Sequence, residues 1–130
     1  MLKRIPILLL FALGACCCHP LDSTSPTAPV HAVRLGAWYY LLVDERPLES
    51  PGTPALGPEY ARVLRKIECE GVVHAGNGRI EDRCGFQHGD SDILPAGTIL
   101  HPLGDVDPGQ RVGAVQNGSL LTFAIHFPPD

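Results

Sequence analysis

The chain has 130 residues, with ten Lys or Arg against 14 Asp or Glu, a formal net charge of −4 and 45% hydrophobic residues. That balance disfavours nucleic acid and anionic lipid headgroups as partners, because both are bound through phosphate neutralisation by basic side chains. Beyond the first thirty or so positions about a hundred residues remain, enough for one domain with a modest core.

Lys3 and Arg4 are followed by an uninterrupted apolar run from Ile7 to Leu13. The run falls short of the roughly 20 residues that span a bilayer as a helix and suits the hydrophobic region of an export signal. Gly14 and Ala15 then precede Cys16, Cys17 and Cys18. The tetrad Leu13-Gly14-Ala15-Cys16 resembles the lipobox of bacterial lipoproteins. The resemblance covers the leader alone. It implies that residues 1–15 are a signal peptide cut away before Cys16, whose thiol receives a diacylglycerol and whose new amino terminus is often acylated. Two or three chains hold a protein stably on a membrane, since each buried methylene contributes about 0.8 kcal/mol. In a cell with two membranes Cys17 stands where an aspartate would resemble an inner-membrane retention signal, so the outer membrane is the expected site. Three consecutive cysteines cannot all turn toward one ion from one strand or helix, which argues against zinc. An ordinary cleaved leader, leaving three thiols on a soluble protein, is the rival reading. Without Lys3 and Arg4 the ten basic residues become eight against 14 acidic ones, a charge of −6.

Residues 16–32 combine this anchor with a Ser/Thr/Pro-rich tether, which at about 3.1 Å per residue lifts a domain by up to roughly 40 Å. The globular domain is expected over residues 33–130. Its first strand is expected from Trp38 to Val43, where aromatic and branched residues suit a pleated surface. Trp38, Tyr39 and Tyr40 form a candidate interaction surface, because aromatic residues anchor interfaces, although core packing competes for them. Residues 46–58 hold four prolines and read as a long loop. Pro58 and Glu59 then suit a helix start, and Tyr60, Val63, Leu64 and Ile67 follow at helical spacing, which predicts a short helix near Pro58 to Lys66.

Residues 67–86 read as a hairpin about Gly76-Asn77-Gly78. A loop of Ala75 to Gly78 sets Val73 opposite Ile80, Cys69 opposite Cys84 and Ile67 opposite Phe86 on one face, and Glu70 opposite Arg83 on the other. Asp82 is the misfit, landing on the apolar face opposite Gly71. Directly opposed residues lie within disulfide reach, so Cys69–Cys84 is expected as a structural bond that an oxidising compartment preserves. The spacing is not that of a redox-active CxxC pair.

The last third is punctuated by Gly97, Gly104-Asp105 and Asp107-Pro108-Gly109, with strands expected at about Thr98 to His101, Arg111 to Gln116 and Ser119 to Phe127. Asn117-Gly118 between apolar runs predicts a tight hairpin pairing Val115 with Leu120, Ala114 with Leu121 and Val112 with Phe123. Residues Ser91 to Thr122 resemble a pattern of small bacterial envelope proteins, a likeness that carries no activity. The fold expected is mainly β, a small antiparallel barrel or sandwich of about five to seven strands with at most one short helix and a hairpin disulfide.

No motif specifies catalysis or a cofactor. Asp90 with Asp92, and Asp105 with Asp107, are acidic pairs, but neither opens a twelve-residue calcium loop, and turn formation accounts for them. His19, His31, His74, His88, His101 and His126 never fall into a metal-binding spacing, and there is no GxSxG or phosphate-loop pattern. The expectation is therefore a noncatalytic binding or structural module, held to a membrane through acylated Cys16 and facing an envelope protein or cell-wall component, without a metal. The alternative is a small envelope hydrolase or metal-dependent enzyme built from the scattered Asp and His residues.

Overall fold

A computed structural model describes residues 28–104 and 109–128. The signal peptide, Cys16, most of the tether, Asp105 and Asp107 lie outside the described residues. Eleven strands are present among those described, and no helix: β1 Pro29–Val30, β2 Ala32–Leu35, β3 Trp38–Pro47, β4 Ala61–Arg62, β5 Arg65–Lys66, β6 Val72–Gly76, β7 Arg79–Glu81, β8 Asp90–Ser91, β9 Ile99–Pro102, β10 Arg111–Gln116 and β11 Ser119–Ile125. Eight form one curled sheet in the order β4-β9-β10-β11-β3-β2-β8-β5, a half-barrel, and β1, β6 and β7 form a small second sheet. The fold is mainly β, as expected. The strand number exceeds the expectation because four of the eleven strands have two residues each.

Asn117-Gly118 drives the hairpin of β10 and β11. Both residues take positive φ, 52° and 80°, the backbone of a two-residue turn whose twist matches the strands it joins. Register follows: Val115 pairs with Leu120, Ala114 with Leu121 and Val112 with Phe123. β11 also pairs along nearly all of β3, from Pro47 to Tyr40. This places Tyr40, Val112, Ala114, Leu121 and Phe123 in one buried cluster with Val33, Val63, Leu94 and Leu100. A second cluster of Ala32, Leu41, Val72 and Phe86 joins the small sheet to the large one.

The helix expected near Pro58 to Lys66 is absent. The half-barrel's two outermost strands, β4 and β5, are consecutive in the chain, so a single short segment reaches both sides of the curled sheet. Between them Val63 is buried in the core, donating its amide to Thr98 and accepting from Gly97 through its carbonyl, while Leu64 stays exposed. An inward Val63 beside outward neighbours is strand alternation; the helical spacing of Tyr60, Val63, Leu64 and Ile67 coincides with it. The proline-rich loop is tied down in its second half. Leu56 bridges Leu103, and the Gly57 amide bonds to the Pro102 carbonyl at 2.9 Å.

Pro29 and Val30 pair with Val73 and Val72, and Ala32 is fully buried, so the last residues of the 16–32 segment belong to the folded domain.

The β6–β7 hairpin contains the expected disulfide in a different register. The turn is Asn77-Gly78 alone, Gly76 pairs with Arg79, and an irregularity at Ala75 leads to pairs His74↔Ile80 and Val73↔Glu81. The pairs Val73–Ile80 and Glu70–Arg83 are therefore not formed; Arg83 makes its ion pair with Glu81 at 3.0 Å. Cys69 and Cys84 lie beyond the ladder, with Cα atoms 6.2 Å apart, and are bonded. Asp82 explains why the chain still brings them together. Its carboxylate accepts the backbone amides of Cys84, Gly85 and Phe86 at 3.0, 2.8 and 2.8 Å, folding the chain into a turn immediately after β7. The misfit of the pattern is the residue that organises the turn.

Candidate functional site

The aromatic stretch at the start of β3 is divided by strand alternation. Tyr40 points inward, 3% exposed, with its hydroxyl on the Gly109 carbonyl at 2.8 Å. It is part of the core and so does not share a surface with its neighbours, which corrects the grouping of Trp38, Tyr39 and Tyr40. Tyr39 is half-buried. Its hydroxyl donates to Asp82 at 2.7 Å, its ring meets Phe86 edge-on at 6.1 Å, and the Arg34 guanidinium sits 5.2 Å from the ring centre. Trp38 is 43% exposed and meets Phe127, itself 57% exposed, at 5.6 Å and an interplanar angle of 70°.

Beside Trp38 runs a groove of about 220 Å³, lined by Ala37, Trp38, Tyr39, Arg79, Ile80, His126 and Pro128. Three separate segments build it. The β3 start supplies the aromatic wall. The β7 strand supplies Arg79 and Ile80, and the His74↔Ile80 pairing keeps His74 on the same face. The chain leaving β11 is held against β3 by the His126 amide on the Tyr39 carbonyl at 2.8 Å, which sets the His126 ring into the groove.

His126 Nε2 is the buried side-chain polar atom among the described residues that lacks a hydrogen-bond partner. Burial pushes the ring's pKa below the ordinary imidazole value, His74 lowers it further, and the Gly78 carbonyl opposes them. The ring is therefore neutral at pH 7. Arg79 is exposed, and none of the ion pairs among the described residues uses it. The neighbouring carboxylates are committed, Glu81 to Arg83 and Asp82 to Tyr39 and three amides. Burial by itself would raise the pKa of Asp82, but the Tyr39 hydroxyl and the backbone amides outweigh it and hold the carboxyl below its ordinary range. For Tyr39, burial first and then Asp82 push the phenol above its ordinary value.

The acidic pair expected in turns is buried instead. Asp90 is 2% exposed and takes a two-pronged bond from Arg65 at 2.9 and 2.8 Å as well as the Gln87 amide. The Arg65 bonds lower its pKa most, against a penalty from burial. Asp92 receives the Ala32 amide at 2.8 Å and His31 Nδ1 at 2.6 Å. With Ser91 Oγ on the Ala32 carbonyl, these side chains tie β2 and β5 to β8. Among the described residues no three His, Cys, Asp or Glu side chains converge as a metal site would require. Two further depressions exist. One of about 240 Å³ is lined by Val43, Arg46, Leu103, Gly104 and Arg111, and one of about 460 Å³ lies open beside the disulfide and Pro29.

Of the groove residues, Trp38 and Tyr39 were legible as exposed-aromatic candidates; Arg79, Ile80 and His126 carried no local signal. No family model matches the chain, and neither the curated proteins nor the solved structures give a match.

Proposed function

We propose that this chain is a lipid-anchored protein of the cell envelope whose β domain is a noncatalytic binding module, contacting its partner through the groove beside Trp38. The leader and the Leu13-Gly14-Ala15-Cys16 tetrad support the anchor, and a bonded Cys69–Cys84 fits an oxidising compartment outside the cytoplasm. In a cell with two membranes the outer one is the proposed site.

The observation that carries the binding role is the Trp38–Phe127 pair, two large exposed rings of which Trp38 lines the groove. Aromatic side chains repay burial strongly and dominate interface energetics. The test is a photo-crosslinking residue placed at Ala37, in the groove, or at Val115, exposed on β10. An adduct in intact envelopes from Ala37 alone, abolished by Trp38→Ala, is expected; equal adducts from both positions, or none from Ala37, would remove the binding role.

A further inference from the structure

We propose that the groove receives an aromatic side chain of a peptide segment whose carboxylate, on the same or the adjoining residue, is held by Arg79. This rests on the binding role above and names the chemistry of its partner.

Size sets the scale of the occupant. Sites for cofactors and drug-sized ligands run from about 300 to 1,000 Å³, whereas this groove measures about 220 Å³, room for one ring. Trp38, Tyr39, Ile80 and Pro128 present apolar walls, and ring against ring prefers edge-to-face or offset contact at 4.5–7 Å between centres. The Trp38–Phe127 pair is edge-on at 70°, the kind of ring contact an entering aromatic side chain would repeat.

Charge sets the rest. The chain as a whole is acidic at −4, yet the groove's rim carries Arg79 with no carboxylate on it among the described residues and its acidic neighbours engaged elsewhere. A guanidinium offers a planar fork that matches a carboxylate with two parallel bonds. His126 also lines the groove, with its Nε2 atom buried and without a hydrogen-bond partner. Because burial keeps that ring neutral, Arg79 is the cation of the groove at pH 7.

The chain contains a single tryptophan, so indole emission excited beyond the tyrosine absorption band reports this groove alone. The full chain is titrated with N-acetylphenylalanine, with its uncharged amide and with glucuronic acid. The expected result is a saturable emission change in which the acid binds about tenfold more tightly than the amide, the usual scale of a charged hydrogen bond. Arg79→Gln is expected to bring the acid down to the level of the amide, with its melting midpoint confirming an intact fold. Equal affinity for acid and amide would overturn the carboxylate assignment and leave the groove as a ring site. Tighter binding of glucuronic acid than of either phenylalanine probe would overturn the peptide. No response to any probe would overturn this inference, while the groove's binding role stands or falls separately on crosslinking from Ala37.

Discussion

The Tyr39 hydroxyl donates a 2.7 Å hydrogen bond to Asp82, joining β3 of the large sheet to the turn that follows β7. Asp82 thereby couples the groove wall to the cross-linked loop. It accepts three backbone amides besides, and a hydrogen bond to a charged group contributes about 1.5–3 kcal/mol when buried. Asp82 is part-exposed, so the total is discounted. Asp82→Ala is expected to lower unfolding free energy by about 2 to 3 kcal/mol, and Tyr39→Phe by about 1 kcal/mol, in urea titrations at neutral pH. A loss below about 0.5 kcal/mol, the range of ordinary surface substitutions, would refute this role.

Acid should destabilise the domain in two stages. His126 has a folded pKa below its unfolded one, so its contribution is complete above about pH 6.5 and is lost as pH falls into the depressed range. Asp82 and Asp90, also depressed, contribute fully above about pH 4 and lose that contribution as pH falls further. Tyr39, raised, acts oppositely: its contribution holds below about pH 10 and is lost as pH rises through its folded value. Urea midpoints measured across pH check this. His126→Asn should remove the stage near neutrality and leave the lower one; an unchanged profile would contradict the buried, neutral ring.

The disulfide closes a loop with a sequence separation of 15, for which chain entropy gives about 3 kcal/mol. Reduction, or Cys69→Ser with Cys84→Ser, should cost that much in denaturant titrations. The doubly substituted protein should be insensitive to reductant.

Gly71 tests where the folded domain begins. It has φ +101°, and a Cβ added there would fall on the Val30 carbonyl oxygen. Gly71→Ala should cost about 2 kcal/mol or more and accelerate amide exchange at β1 and β6 ahead of the β10–β11 hairpin. Uniform exchange across the domain would show that β1 pairing is not what Gly71 protects.

What the sequence made legible was what local chemistry determines. Asn117-Gly118 and alternating apolar neighbours specify the β10–β11 register without outside help. The disulfide was also legible, although its derivation assumed the wrong turn: Gly76 enters the ladder and Ala75 is skipped, while Asp82 compensates with a turn that local pairing could not reveal. The helix expected near Pro58 to Lys66 did not form because the one-sided apolar spacing of Tyr60, Val63, Leu64 and Ile67 is shared by a helix and by a bent edge segment. Only the need to fill the core at Val63 distinguishes them. β8 was invisible, since Asp90 and Ser91 are buried through ion pairing and hydrogen bonds rather than hydrophobicity. The groove combines residues far apart in sequence, Trp38, Ile80 and His126, so only its aromatic wall had a local signature.

Lipid on the Cys16 thiol is read out by intact-mass and fragment-mass spectrometry of the protein purified from its native membrane. The expected species is a chain that begins at Cys16, heavier than its sequence by a diacylglyceryl group on that residue. A native chain still carrying residues 1–15, or one beginning at Cys16 with an unmodified thiol, would contradict it.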